Sequence, residues 1–176
     1  METLYTIGHS TRSLSELIRA LNAHAIETLV DIRSFPVSRR LPHFNRESLE
    51  QAVPAAGIRY VWLKALGGYR KKLQENSPNV TLRNQNFRNY ADHMMTSEFK
   101  EGIGELLRIA AESRTAYMCA ERVWFHCHRM LASDYLVAHG HIVLHIDDTG
   151  PVRPHKLTPE GRLIDGELIY RGDRLF

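Results

Sequence analysis

The chain has 176 residues, 43% hydrophobic and 24% charged, with a formal net charge of +3 before its ten histidines are counted. That length can bury a core without disulfides or metals, and the composition is that of an ordinary globular chain. No apolar run approaches the roughly 20 residues of a membrane span. METLYTIGHS lacks a basic segment followed by an apolar run, so the expected localisation is cytoplasmic, with thiols kept reduced.

LYTIGHS predicts a buried strand ending at Gly8. Ser13 to Glu16 form a capping box that opens a helix through about His24, with Leu14, Leu17, Ile18 and Leu21 on its apolar face. TLVDIR is the second strand, stopped before Pro36. Asn45 is a candidate cap for a helix from Arg46 to about Ala56. IRYVWL is the third strand, followed by a long basic loop, GGYRKKLQENSPNVTLRNQ. NFRNYADHMM and SEFKEGIGELLRIAAES predict two helices, and TAYMCA a fourth strand. CHRMLASDYLVAHG predicts a helix closed by Gly140, and HIVLHI a fifth strand. In the tail, Asp165-Gly166 between alternating runs signals a type I′ hairpin.

Strands alternating with helices imply βαβ units and a mainly parallel sheet. The expected fold is a three-layer α/β/α sandwich with a small C-terminal β-hairpin. It is expected to be one domain over residues 1–176, with 148–176 as the tail. In such sheets ligands bind beyond the carboxyl ends of the strands. Gly8, His9 and Ser10 follow the first strand, and Asp31 and Arg33 end the second. Leu66, Gly67 and Gly68 follow the third, Cys119 and Glu121 end the fourth, and His145 ends the fifth.

CAERVWFHCHRM, Cys119 to Met130, contains both cysteines of the chain. Cys119, His126, Cys127 and His128 carry zinc-type donor atoms, but their spacing matches no common zinc pattern and adjacent side chains point apart. Cys119, ending a strand, and Cys127, opening the next helix a few residues later, could come within disulfide reach, and in a cytoplasm such a bond would be catalytic or regulatory. Either could also be a small buried hydrophobe. A helix starting near Cys127 would stabilise a thiolate or a bound anion, helped by Arg33, Arg122 and Arg129. The Cys-x5-Arg loop of thiol phosphatases is missing, because no arginine stands six residues after either cysteine. Asp31 and Arg33 could pair with one another, and Glu121 with Arg122 or Arg129. Tyr69 to Lys72 reads as a phosphate-contacting patch or as a plain exposed loop.

YTIGHS, DIRSFPVSR, the LGG of LKALGG, NFRNYADHMMTSEF and CAERVWFHCHRMLASDYL occur in this order, and together they resemble the family called domain of unknown function 488. Its pattern of C-x-E, a short loop, then C-H-R matches Cys119, Glu121, Cys127, His128 and Arg129. Gly8, His9, Ser10, Asp31, Arg33, Pro36, Ser38 and Arg39 also match. VWFH replaces a more polar loop. The resemblance implies an α/β fold and a site, but no reaction. The expectation is an enzyme with one pocket, in which Cys119 is the nucleophile and Glu121 and His128 act as acid and base. Gly8, His9, Ser10, Asp31, Arg33, Arg39, Gly67, Gly68, Cys127 and Arg129 would surround a small anionic ligand, nucleotide or nucleic-acid end. The rival expectations are a nucleic-acid-binding module and a metal-binding or redox-sensing protein. The residues name no cofactor and no oligomeric state.

Overall fold

A computed structural model describes residues 1–171; residues 172–176 of the expected tail lie outside it. The elements run β1 (Thr3–Gly8), α1 (Leu14–Ala23), β2 (Thr28–Asp31), α2 (Arg46–Ala55), β3 (Arg59–Trp62), α3 (Gln85–His93), α4 (Ser97–Glu112), β4 (Thr115–Cys119), α5 (Arg129–Ala138), β5 (Ile142–His145), β6 (Arg153–Pro154), β7 (Gly161–Ile164) and β8 (Glu167–Tyr170). The main sheet has the order β3-β2-β4-β1-β5-β6. The first five strands are parallel, and β6 pairs antiparallel with β5. The fold is therefore mixed α/β, as expected.

Alternation along each strand sorts the core into two layers. Tyr5, Ile7, Leu29, Ala116 and Met118 pack with Leu17 and Leu21 of α1 and Leu49 and Val53 of α2. Leu4, Val30, Tyr117 and Val143 pack with α3, α4, α5 and the β7–β8 hairpin. Both strand faces are thus buried, which explains their continuous apolar runs.

Local chemistry sets the element ends. The Ser13–Glu16 capping box is formed in both directions. Asn84 and Thr96 cap α3 and α4 through their side chains. Asn45 does not cap α2 this way; its Oδ1 accepts from the Ser38 amide at 2.6 Å and ties down the preceding loop. β2 stops at Asp31, two residues before the end expected from TLVDIR. There the Asp31 carboxylate accepts from the Arg33 amide and turns the chain. β6, with no expected counterpart, is a two-residue edge strand ending in Pro154, a tolerated place for a residue without an amide proton. No helix among the described residues is long and apolar enough to cross a membrane.

The Asp165-Gly166 turn joins β7 to β8 with both residues at positive φ, 50° and 82°, the type I′ geometry. Gly166→Ala should destabilise the protein by about 1–2 kcal/mol, the usual cost of a side chain in the left-handed region. A thermal or urea melt checks this.

Candidate functional site

The expected strand-end residues do meet at the carboxyl rim of the sheet, but the pleat sends them to two sides. On the α1–α2 side, Arg33 is buried and donates twice to Asp31, from Nε at 2.9 Å and from Nη2 at 2.6 Å. Tyr60 donates at 2.6 Å to Asp31 Oδ2, the oxygen that also accepts from Arg33 Nη2, and Arg33 Nη2 also donates to the Phe44 carbonyl. Burial opposes the Arg33 charge, yet the Asp31 carboxylate outweighs it and raises the guanidinium pKa. Arg33 Nη1 lies 3.3 Å from His9 Nε2. An arginine only donates, so Nε2 accepts and Nδ1–H donates to the Ser10 carbonyl at 2.9 Å. Burial lowers the His9 pKa to about 4, keeping this ring neutral as it stacks on Phe44.

The thiols occupy the α3–α5 side. Cys119 ends β4 and is 2% exposed; Cys127 precedes α5 and is 8% exposed. Their sulfurs are 2.8 Å apart. Cys127 is extended at φ −140°, and its Sγ accepts from the Arg129 amide at 3.4 Å, so the sulfur itself caps the helix. Burial pushes the Cys119 thiol well up. Cys127 is lowered to about 7, first by the hydrogen bond from Cys119, then by the charge and amide of Arg129. The opposite directions of these shifts favour Cys119 as the donor and Cys127 as the acceptor in the contact between the two sulfurs.

Arg129 is 1% exposed. Its Nη1 donates to Thr6 Oγ1 at 2.9 Å, and its Nη2 donates to the carbonyls of Glu121 and Arg122 at 2.8 and 2.9 Å. No carboxylate pairs with it among the described residues, and its Nε has no partner. Both Nη atoms donate to the chain itself, so Arg129 braces the 121–122 loop, and it also lines a rim cavity of about 240 Å³ with Arg122, Trp124, His145 and Arg153.

A chain of hydrogen bonds continues from Thr6. Thr6 Oγ1 lies 3.2 Å from His145 Nδ1, His145 Nε2 lies 2.9 Å from His155 Nδ1, and His155 Nε2 lies 2.8 Å from Asp134 Oδ1. Asp134 also accepts from the Thr158 amide and the Tyr170 hydroxyl. Arginine can only donate and an ionised carboxylate can only accept. With both rings neutral, the Asp134 end orders the chain: His155 donates to Asp134, His145 to His155, and Thr6 to His145. Burial and the nearby His155 and Arg129 lower the His145 pKa to about 3. Trp124 covers His145, with ring centroids 4.2 Å apart and planes 12° off parallel.

The remaining expected residues divide by role. His128 is half-buried; its Nε2 lies 2.9 Å from the Ile32 carbonyl, and burial lowers its pKa to about 4. It is thus a neutral ring that packs the wall. A Cβ on Gly8 would overlap the Glu121 carbonyl, one on Gly67 the Ser34 side chain, and one on Gly68 the His128 ring. These glycines permit close approach between segments. Ser10, at φ 52°, extends the pairing of β1 through its amide to the Ala120 carbonyl. Arg39 is exposed and outside the three cavities of the rim.

Of the other two cavities, one, about 280 Å³, is lined by Cys119, Cys127, His128, Gly68, Phe35 and Tyr69. The other, about 570 Å³, is lined by His9, Ser10, Arg40, Arg122 and His126. Arg33, Phe35, Ala120 and Glu121 border both. Glu121 is exposed, and among the described residues no ion pair engages its carboxylate. Arg122 pairs with Asp147 instead of Glu121. Arg70 of the basic loop is spent on the carbonyls of Lys64, Ala65 and Gly67. Among the described residues no group of three or more His, Cys, Asp or Glu could hold a metal ion.

Sequence reasoning missed Phe35, Arg40, Thr6, Asp134 and His155. Thr6 had a signal: it is the polar residue of a buried strand, on the same strand face as Leu4.

Two predictions follow from this geometry. Arg129→Met strands the Thr6 hydroxyl and two carbonyls, and should cost about 3–5 kcal/mol in a urea melt while raising the Cys127 pKa. The neutral histidines set an acid limit. Their folded pKa values lie below the unfolded 6.5, so the folded state resists protonation that the unfolded state accepts. Stability is full above pH 6.5 and falls as pH drops toward about 4 for His9 and about 3 for His145. By pH 5 each should have cost about 2 kcal/mol, at about 1.36 kcal/mol per unit. The urea midpoint at pH 7 and at pH 5 measures it.

No curated protein and no solved structure matches this chain. The model of the family described as domain of unknown function DUF488 matches residues 13–136. That span includes Asp31, Arg33, Gly67, Gly68 and the whole Cys119–Arg129 segment. The chain whose sheet rim carries these residues belongs to the DUF488 family.

Proposed function

We propose that this protein is a thiol-dependent enzyme that acts on a small anionic substrate, with Cys127 rather than Cys119 as the nucleophile. The observation that carries this reading is the buried Arg129, which has no carboxylate partner among the described residues and whose amide donates to Cys127 Sγ. A buried guanidinium needs a compensating anion, and a Cys127 thiolate supplies one. The thiolate is the reactive form of cysteine.

The surroundings support the substrate class. Arg40 and His126 flank the larger cavity. Phe35 and Tyr69 are 67% and 68% exposed, and their rings stand 5.8 Å apart beside the thiols, an arrangement suited to a flat group such as a nucleobase. The exposed Glu121 carboxylate at the border of both cavities supports an acid–base role for it. Asp31 and Arg33 neutralise one another and serve this site by shaping its floor.

The test is the pH dependence of iodoacetamide labelling, resolved by peptide mass spectrometry. Cys127 should label with an apparent pKa of about 7 and Cys119 should stay protected. A nucleoside monophosphate should shield Cys127 better than the uncharged nucleoside. Labelling of Cys127 only near the free-thiol pKa of about 8.5 would sink the reading.

A further inference from the structure

We propose that Cys119 and Cys127 together form a dithiol exchange centre that reduces small disulfides bearing negative charge, with Cys127 attacking and Cys119 resolving. The inference rests on the reading of Cys127 as the nucleophile and adds a second, separable role for Cys119.

Three features of the site carry it. The sulfurs are 2.8 Å apart, so little movement brings them to the roughly 2.05 Å of a disulfide. Both thiols line the cavity but their accessibility is unequal, Cys127 at 8% and Cys119 at 2% exposure, so an incoming disulfide meets Cys127 first. The cavity beside them is walled by Phe35 and Tyr69, while Arg40 and His126 stand in the adjoining one, a setting for a sulfur flanked by carboxylates or another acid.

The steps balance. The Cys127 thiolate attacks one sulfur of the disulfide, breaking its S–S bond. One half leaves as a thiolate and the other remains joined to Cys127. The counter-anion of Arg129 is now consumed, so the same positive charge favours ionisation of Cys119. Cys119 passes its proton to the departing thiolate and attacks Cys127 Sγ, expelling the second half. The substrate gains two electrons and becomes one thiol and one thiolate, the latter taking its proton from water, while the protein is oxidised to a Cys119–Cys127 disulfide. A low-molecular-weight dithiol returns it by the reverse exchange.

The experiment uses the full chain and an aromatic disulfide that carries carboxylates, 5,5′-dithiobis(2-nitrobenzoate), whose released thiolate is coloured. Wild type should release both halves of the reagent per chain, retain no adduct, and lose one pair of hydrogens in its intact mass. Cys119→Ser should release one half and keep the other on Cys127, and Cys127→Ser should slow release by at least about tenfold. If wild type keeps a stable mixed disulfide on Cys127, the resolving role is wrong while the nucleophile stands. If Cys127 does not react in wild type, both this inference and the proposed function fall. The wild-type mass alone decides between these outcomes, so a poorly folding variant does not blunt the test.

Discussion

A single buried positive charge organises the rim of this sheet. Arg129 enters at the first turn of α5, where the helix dipole disfavours a cation, and it is almost completely removed from water. A charge in that position must be surrounded by acceptors. The chain supplies a hydroxyl from β1 and two carbonyls from the loop after β4. To present the Glu121 carbonyl to Arg129, that loop passes directly over Gly8, where no side chain fits. The glycine, the threonine, the loop and the sulfur that caps α5 are therefore consequences of accommodating one guanidinium.

The same constraint explains why two chemically identical thiols differ. Cys119 is held inside the end of the sheet, where burial disfavours charge. Cys127 sits at the start of a helix beside an arginine, where charge is favoured. The hydrogen bond between them is the largest cause lowering the Cys127 pKa, with Cys119 as donor and Cys127 as acceptor. The inequality is set by where each residue leaves its element and does not depend on the residue type.

Much of the fold was legible in the sequence because it rests on local patterns. The Ser13–Glu16 box, the apolar spacing of α1 and the Asp165-Gly166 turn all form as their spacing predicts. The family resemblance placed Cys119, Glu121, Cys127, His128 and Arg129 near one another. What the linear pattern did not convey was sidedness. Residues at neighbouring strand ends converge in space, but His9 and Asp31 fall on one face of the pleat and Cys119 on the other, so one expected pocket became three adjoining cavities. Nor could His145, His155 and Asp134 be recognised as one network, because their contacts cross from β5 to the segment after it and back to α5. Such pairings depend on tertiary placement, to which a periodicity argument is blind.

The placement of β1 has a practical consequence. This strand lies between β4 and β5 at the heart of the sheet, yet both it and β5 fall outside the 13–136 stretch matched by the family model. A fragment trimmed to that stretch would leave an exposed edge on β4, inviting intermolecular strand pairing. It would also withdraw Thr6 and His145 from the buried arginine. The recognisable signature of this chain is thus smaller than the unit that must fold to support it.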